Sequence, residues 1–123
     1  MGTALLYVGA VIIVAWGVGH HIPTPGIVRG FGPLSEDNRR IITMEWVAEG
    51  LTLCFIGLLV LSALVTAGPG SRTVVFTARA CASMLVVLAI LSRLTGGRTS
   101  ILPMRLCPYV KTVVAVTFLY ATL

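Results

Sequence analysis

Apolar positions gather in four long runs, at 3–19, 41–67, 73–92 and 109–123, separated by short stretches rich in glycine, proline and charge. A hydrocarbon layer about 30 Å thick needs about 20 helical residues, within a range of about 17–25, and the first three runs meet that length. The runs are continuous and lack the alternation of a barrel strand. Because backbone facing lipid must satisfy its own hydrogen bonds, each run is a helix. The fourth has only twelve residues after Lys111, about 18 Å of helix, so it must begin earlier, near Pro108. The pattern therefore predicts an all-α integral membrane bundle of four transmembrane helices, one domain over residues 1–123, with helices at about 3–20, 36–67, 73–93 and 107–123.

Composition agrees with this pattern. Hydrophobic residues make up 57% of the chain and charged residues 11%, and the mean hydropathy is +1.00, too apolar for a protein that must cover itself with polar surface in water. The first run has no basic residue ahead of it and ends in His20-His21-Ile22-Pro23, without a small-residue cleavage site, so it reads as a helix of the mature protein. The net charge of +5 is not a nucleic-acid patch. Arg29, Arg39 and Arg40 fall in the first connection, Arg93, Arg98, Arg105 and Lys111 in or beside the third, and only Arg72 and Arg79 on the opposite side. That asymmetry predicts loops 20–40 and 93–108 in the cytoplasm, with both termini outside the cell membrane.

All four acidic residues, Glu36, Asp37, Glu45 and Glu49, lie between positions 36 and 49. Ser35 reads as an N-cap, and Glu36 and Asp37 occupy the first turn, where the helix dipole favours negative charge; Glu36 also stands i, i+4 to Arg40, a pairing worth about 0.2–0.5 kcal/mol on a helix surface. Glu45 and Glu49 are different. They share one helix face with Asn38 and Thr52, and a carboxylate at membrane depth is by default a functional-site hypothesis whose partner should be named. Trp46 beside them reads as an interfacial anchor. His20 and His21 end the preceding helix in the same leaflet, Arg39 precedes the glutamates, and Lys111 enters the membrane from the same side. Arg79, across the bilayer, reads as a snorkelling cation.

The candidate chemistry follows from those residues. Glu45 and Glu49 with His20 form a possible acid–base set on a lipophilic substrate, while His21, Asn38, Arg39, Thr52, Cys107 and Lys111 form a surrounding polar network or ligand contact set. Cys54, Cys81 and Cys107 make no C-x-x-C pair. The first two read as helix-packing residues, and Cys107 as a loop thiol in Leu106-Cys107-Pro108 beside two cations. A bis-histidine haem needs histidines on facing helices, and a di-iron site needs Glu-x-x-His pairs from two helices; neither is present, so no metal and no cofactor are expected.

The four-helix plan, together with Gly17-x-x-His20-x-x-Pro23 at the end of the first helix, resembles the DoxX-like small membrane proteins of bacteria. The resemblance implies an inner-membrane bundle linked with redox or lipid-phase small molecules, and it carries over no catalytic residues. The reading is a small multipass protein with a polar cavity in the cytoplasmic leaflet, serving as an accessory subunit of a membrane complex or as a binder of a small hydrophobic molecule. The alternative is a membrane-embedded isomerase, cyclase or hydrolase. The expected partners are the bilayer, other membrane subunits or a lipophilic molecule, in a homo- or hetero-oligomer and without nucleic acid.

Overall fold

The computed structural model describes residues 1–123, and all of its regular structure is helical, with no strand. Its elements are α1 (Gly2–His21), α2 (Thr24–Gly30), α3 (Glu36–Ala67), α4 (Arg72–Leu94), a 3₁₀ turn at Gly96–Arg98, and α5 (Leu102–Ala121). The helices α1, α3, α4 and α5 are long and apolar enough to cross a bilayer. This is a four-helix membrane protein.

Local chemistry sets the boundaries. Ser35 Oγ accepts from the backbone N–H of Asn38 and Ser71 Oγ from that of Val74, each at 3.2 Å, satisfying N-terminal donors that the helix itself leaves free. Gly68 and Gly70 have φ of +78° and +79°, which lets the chain reverse between α3 and α4. Glu36 and Arg40 pair at 3.0 Å on the exposed first turn of α3.

Two boundaries differ from the sequence reading. The last helix starts at Leu102, about five residues before the expected position, because Pro103 occupies its first turn, where a missing N–H and a fixed φ suit a helix start. Cys107 is consequently a buried residue of α5 and not a loop thiol. Pro108 sits inside this helix and denies Met104 its usual N–H partner. The first connection also contains a helix, α2, with a proline at its start.

Helices α1 and α3 meet backbone to backbone. A Cβ placed on Gly17 would lie 2.6 Å from Gly50 O, and one on Gly57 would lie 2.6 Å from Ala10 O. The Gly50/Gly57 spacing of seven residues sets small positions on one face, the device by which helices approach closely in lipid. Phe118 of α5, fully buried, seats its ring against Gly9. Only 28 of 123 residues are buried, and large apolar side chains such as Phe55, Phe76 and Val87 stand exposed around the bundle; such a surface suits hydrocarbon, not water.

The two ends of the bundle are chemically unlike. Near the termini, Arg79 does not merely snorkel: Nη2 donates to Thr122 O at 2.7 Å and Nε donates to Thr122 Oγ1 at 3.4 Å, placing a cation at the C-terminus of α5, where the dipole favours it. The polar centre occupies the other end.

A Gly17→Val substitution forces a side chain into Gly50 O, which cannot rotate away; a loss of about 2 kcal/mol or more is expected. Gly19, with no atom within 4 Å of its would-be Cβ, is the control, and Gly19→Val should cost less than about 0.5 kcal/mol. Thermal unfolding in micelles, followed by circular dichroism, reads both, and equal losses would contradict the close α1–α3 contact.

Candidate functional site

Three helices bring together residues that are far apart in the chain. Lys111, fully buried on α5, donates through Nζ to Glu49 Oε1 of α3, and to Ser92 Oγ of α4 at 2.6 Å. Isolated, a buried ammonium would be very costly. Here it has a carboxylate and a hydroxyl, and Glu49 keeps 28% of its side chain exposed.

Cys107 Sγ lies one turn before Lys111 on α5. It stands 3.8 Å from Glu49 Oε1 and 3.8 Å from His20 Nε2, and it accepts from Trp16 Nε1 at 3.4 Å. His20 Nδ1 contacts Trp16 O at 3.0 Å. A carbonyl can only accept, so Nδ1 carries a proton; in the neutral ring Nε2 then presents its lone pair to the thiol. Two tryptophans hold that ring. Trp46 tilts over it with centroids 5.2 Å apart, and Trp16 meets it edge-on at 6.1 Å. Trp46 Nε1 also donates to His20 O at 2.6 Å, and Thr24 Oγ1 donates to the same oxygen at 3.1 Å, so Trp46 is a structural partner of His20 in addition to any interfacial role.

The residues singled out in the sequence separate accordingly. His20, Glu49, Cys107 and Lys111 form one cluster. Glu45 and Thr52 line the adjacent cleft; Thr52 donates to Ala48 O at 2.8 Å, and Glu45 makes no hydrogen bond or ion pair. His21 packs against Gly50. Asn38 and Arg39 are exposed at the start of α3, away from the cluster. Ser92 and Trp16 were not singled out, and nothing in their local sequence marks them. Gly17-x-x-His20-x-x-Pro23 acquires physical roles: Gly17 admits α3, His20 joins the cluster, and Pro23 stands at the N-cap of α2.

Comparison with family models, curated proteins and solved structures finds no match.

The cluster opens on a cleft of about 550 Å³, lined mostly by apolar side chains of α3, α4, the start of α5 and the two connections, among them Ile42, Leu88, Leu91 and Met104, with Glu49, Ser92 and Cys107 as polar lining. Donor atoms of His20, Glu49 and Cys107 all lie within 4.8 Å of one another, a mixed N, O, S set that zinc or copper accepts. Charge argues for a different occupant. Lys111 already neutralises Glu49, so a divalent cation would sit beside a buried ammonium, whereas a proton shared among sulfur, imidazole and carboxylate creates no such repulsion.

Lys111→Met should destabilise the protein by about 3 kcal/mol, because it leaves Glu49 without its cation. Adding Glu49→Gln to that variant should recover a large part of the loss. A double-mutant cycle on unfolding in micelles measures the coupling; additive effects would mean the two side chains do not form a pair.

Proposed function

We propose that this membrane protein binds a lipophilic molecule with a hydroxyl or amine head, held in the cleft beside α3 and α4 with its head at Glu49. The observation that carries this reading is an apolar cleft ending on a partly exposed carboxylate. Glu49 Oε1 is engaged by Lys111, and Oε2 remains able to accept from a ligand. Pockets of this size, apolar with a few convergent polar groups, are typical small-molecule sites. The same observation favours ligand binding over a purely structural subunit role, because a subunit contact needs no polar centre under an open cleft.

The distribution of cations supports an orientation in which both connections at the cleft end, residues 22–35 and 95–101, face the cytoplasm. Cysteine introduced at exposed Arg98 should react with an impermeant maleimide only after cells are opened. Labelling of intact cells would reverse the orientation.

A long-chain alkanol carrying a diazirine tests the ligand reading. Photolabel is expected on the cleft-facing residues of α3 and α4, with Glu49→Gln, made together with Lys111→Met so that no buried ammonium is left unpaired, reducing it about tenfold, as a charged acceptor becomes a neutral one. Label spread evenly over the lipid-facing surface, unchanged in that double variant, would sink it.

A further inference from the structure

Cys107 is the one thiol on the cleft. The other two cysteines are occupied in ordinary packing: Cys54 Sγ donates to Val14 O at 3.7 Å and Cys81 Sγ to Ile56 O at 3.8 Å. The geometry points to Cys107 as a nucleophile that accepts an acyl group from a lipophilic ester or thioester entering the cleft, with His20 as its general base. This inference rests on the cleft being a ligand site.

The arrangement has the parts such a step requires. A nucleophile is activated by an adjacent base that a third group orients: His20 Nε2 faces Sγ, and the Trp16 carbonyl fixes the ring through Nδ1. Trp16 also donates its indole N–H to the sulfur, a bond that strengthens when the acceptor becomes charged. Trp16 is thus a positioning residue for both partners. Ser92 Oγ accepts from Lys111, so its own hydrogen remains to be donated into the cleft that Ser92 shares with Cys107, where the carbonyl oxygen of an acyl group develops charge. Glu49 lies beside the imidazole to stabilise its protonated form.

The step balances. The thiol proton moves from Sγ to His20 Nε2, and the sulfur lone pair forms an S–C bond at the acyl carbonyl. The bond from that carbon to the alkoxy or alkylthio group breaks. The leaving group departs as alcohol or thiol with the proton from Nε2, leaving S-acyl Cys107 and neutral His20. Water, deprotonated by the same nitrogen, then releases the carboxylic acid and restores the thiol. No electron is transferred, which suits a site whose other cysteines are engaged elsewhere in the bundle.

The experiment mixes the folded protein in micelles with p-nitrophenyl decanoate. A burst of about one nitrophenolate per chain is expected, with one decanoyl group located on Cys107 by peptide mass mapping. Cys107→Ser should abolish the burst, His20→Gln should slow it about a hundredfold, and the Cys54→Ala/Cys81→Ala double variant should retain it. A measurement free of variants accompanies these: with N-decylmaleimide, Cys107 of the unaltered chain should react at least about tenfold faster than Cys54 or Cys81. Equal rates at the three thiols, acylation at another residue, or no adduct at all would each overturn the proposal. If the chain is photolabelled by the alkanol in the cleft yet is not acylated, only the nucleophile is wrong; if neither occurs, the ligand site falls with it.

Discussion

A fully buried ammonium is the constraint around which the cluster end of this bundle is arranged. Lys111 has no access to water, so α5 can occupy its place only if α3 delivers Glu49 and α4 delivers Ser92 to the same point. An uncompensated charge at this depth costs several kcal/mol, far more than any single apolar contact recovers. The pair therefore specifies the relative height of three helices more sharply than their apolar surfaces, which can slide past one another in lipid at small cost. The fourth helix is brought in differently. Gly17 and Gly50 let α1 approach α3 closely enough for His20 to lie beside the pair, and two tryptophans then fix its ring.

The architecture was readable in the sequence because it depends on one property at a time. Run length decides whether a segment spans, and continuity of the apolar pattern decides between helix and barrel strand. The pairing within the site was less accessible. That Glu49, His20 and Lys111 share a leaflet follows from counting spans, but which of two glutamates meets the lysine depends on helix rotation. Glu45 and Glu49 are one turn apart on the same face, and only packing separates the exposed residue from the one that pairs. Cys107 was misplaced for a related reason. The start of α5 is signalled by Pro103, a proline that reads equally as a loop residue, and the later Pro108 looks like a helix boundary while sitting inside the helix. Trp16 carries no signal of its own, because its role exists only once α5 lies 91 positions away against α1.

The two ends of the bundle show how the same problem is solved with and without a reactive group. At the terminal end Arg79 finds the carbonyl of Thr122, the C-cap of α5, a cation met by the partial charge of a helix terminus. Its partners are backbone and hydroxyl, groups that hold no proton to exchange near neutral pH. At the other end the cation meets a carboxylate, and the carboxylate lies beside a thiol and an imidazole. Both ends tie α5 to its neighbours, but only one also gathers groups able to pass a proton among themselves.

That difference bears on why the cluster is arranged as it is. Glu49 and Lys111 already cancel, so the centre carries no net charge while Cys107 is a thiol and His20 is neutral. Moving a proton from sulfur to imidazole leaves the sum at zero and produces a second ion pair beside the first. In a low-dielectric setting the energy of such a transfer depends on how well the new charges are met. The Trp16 indole N–H faces the sulfur, and the Glu49 carboxylate lies beside the imidazole. A divalent cation at the same three donors would instead add charge next to Lys111. The lysine that holds the helices in register thus also opposes added positive charge at these donors, so that one residue links the packing of the bundle to the electrostatics of its cleft.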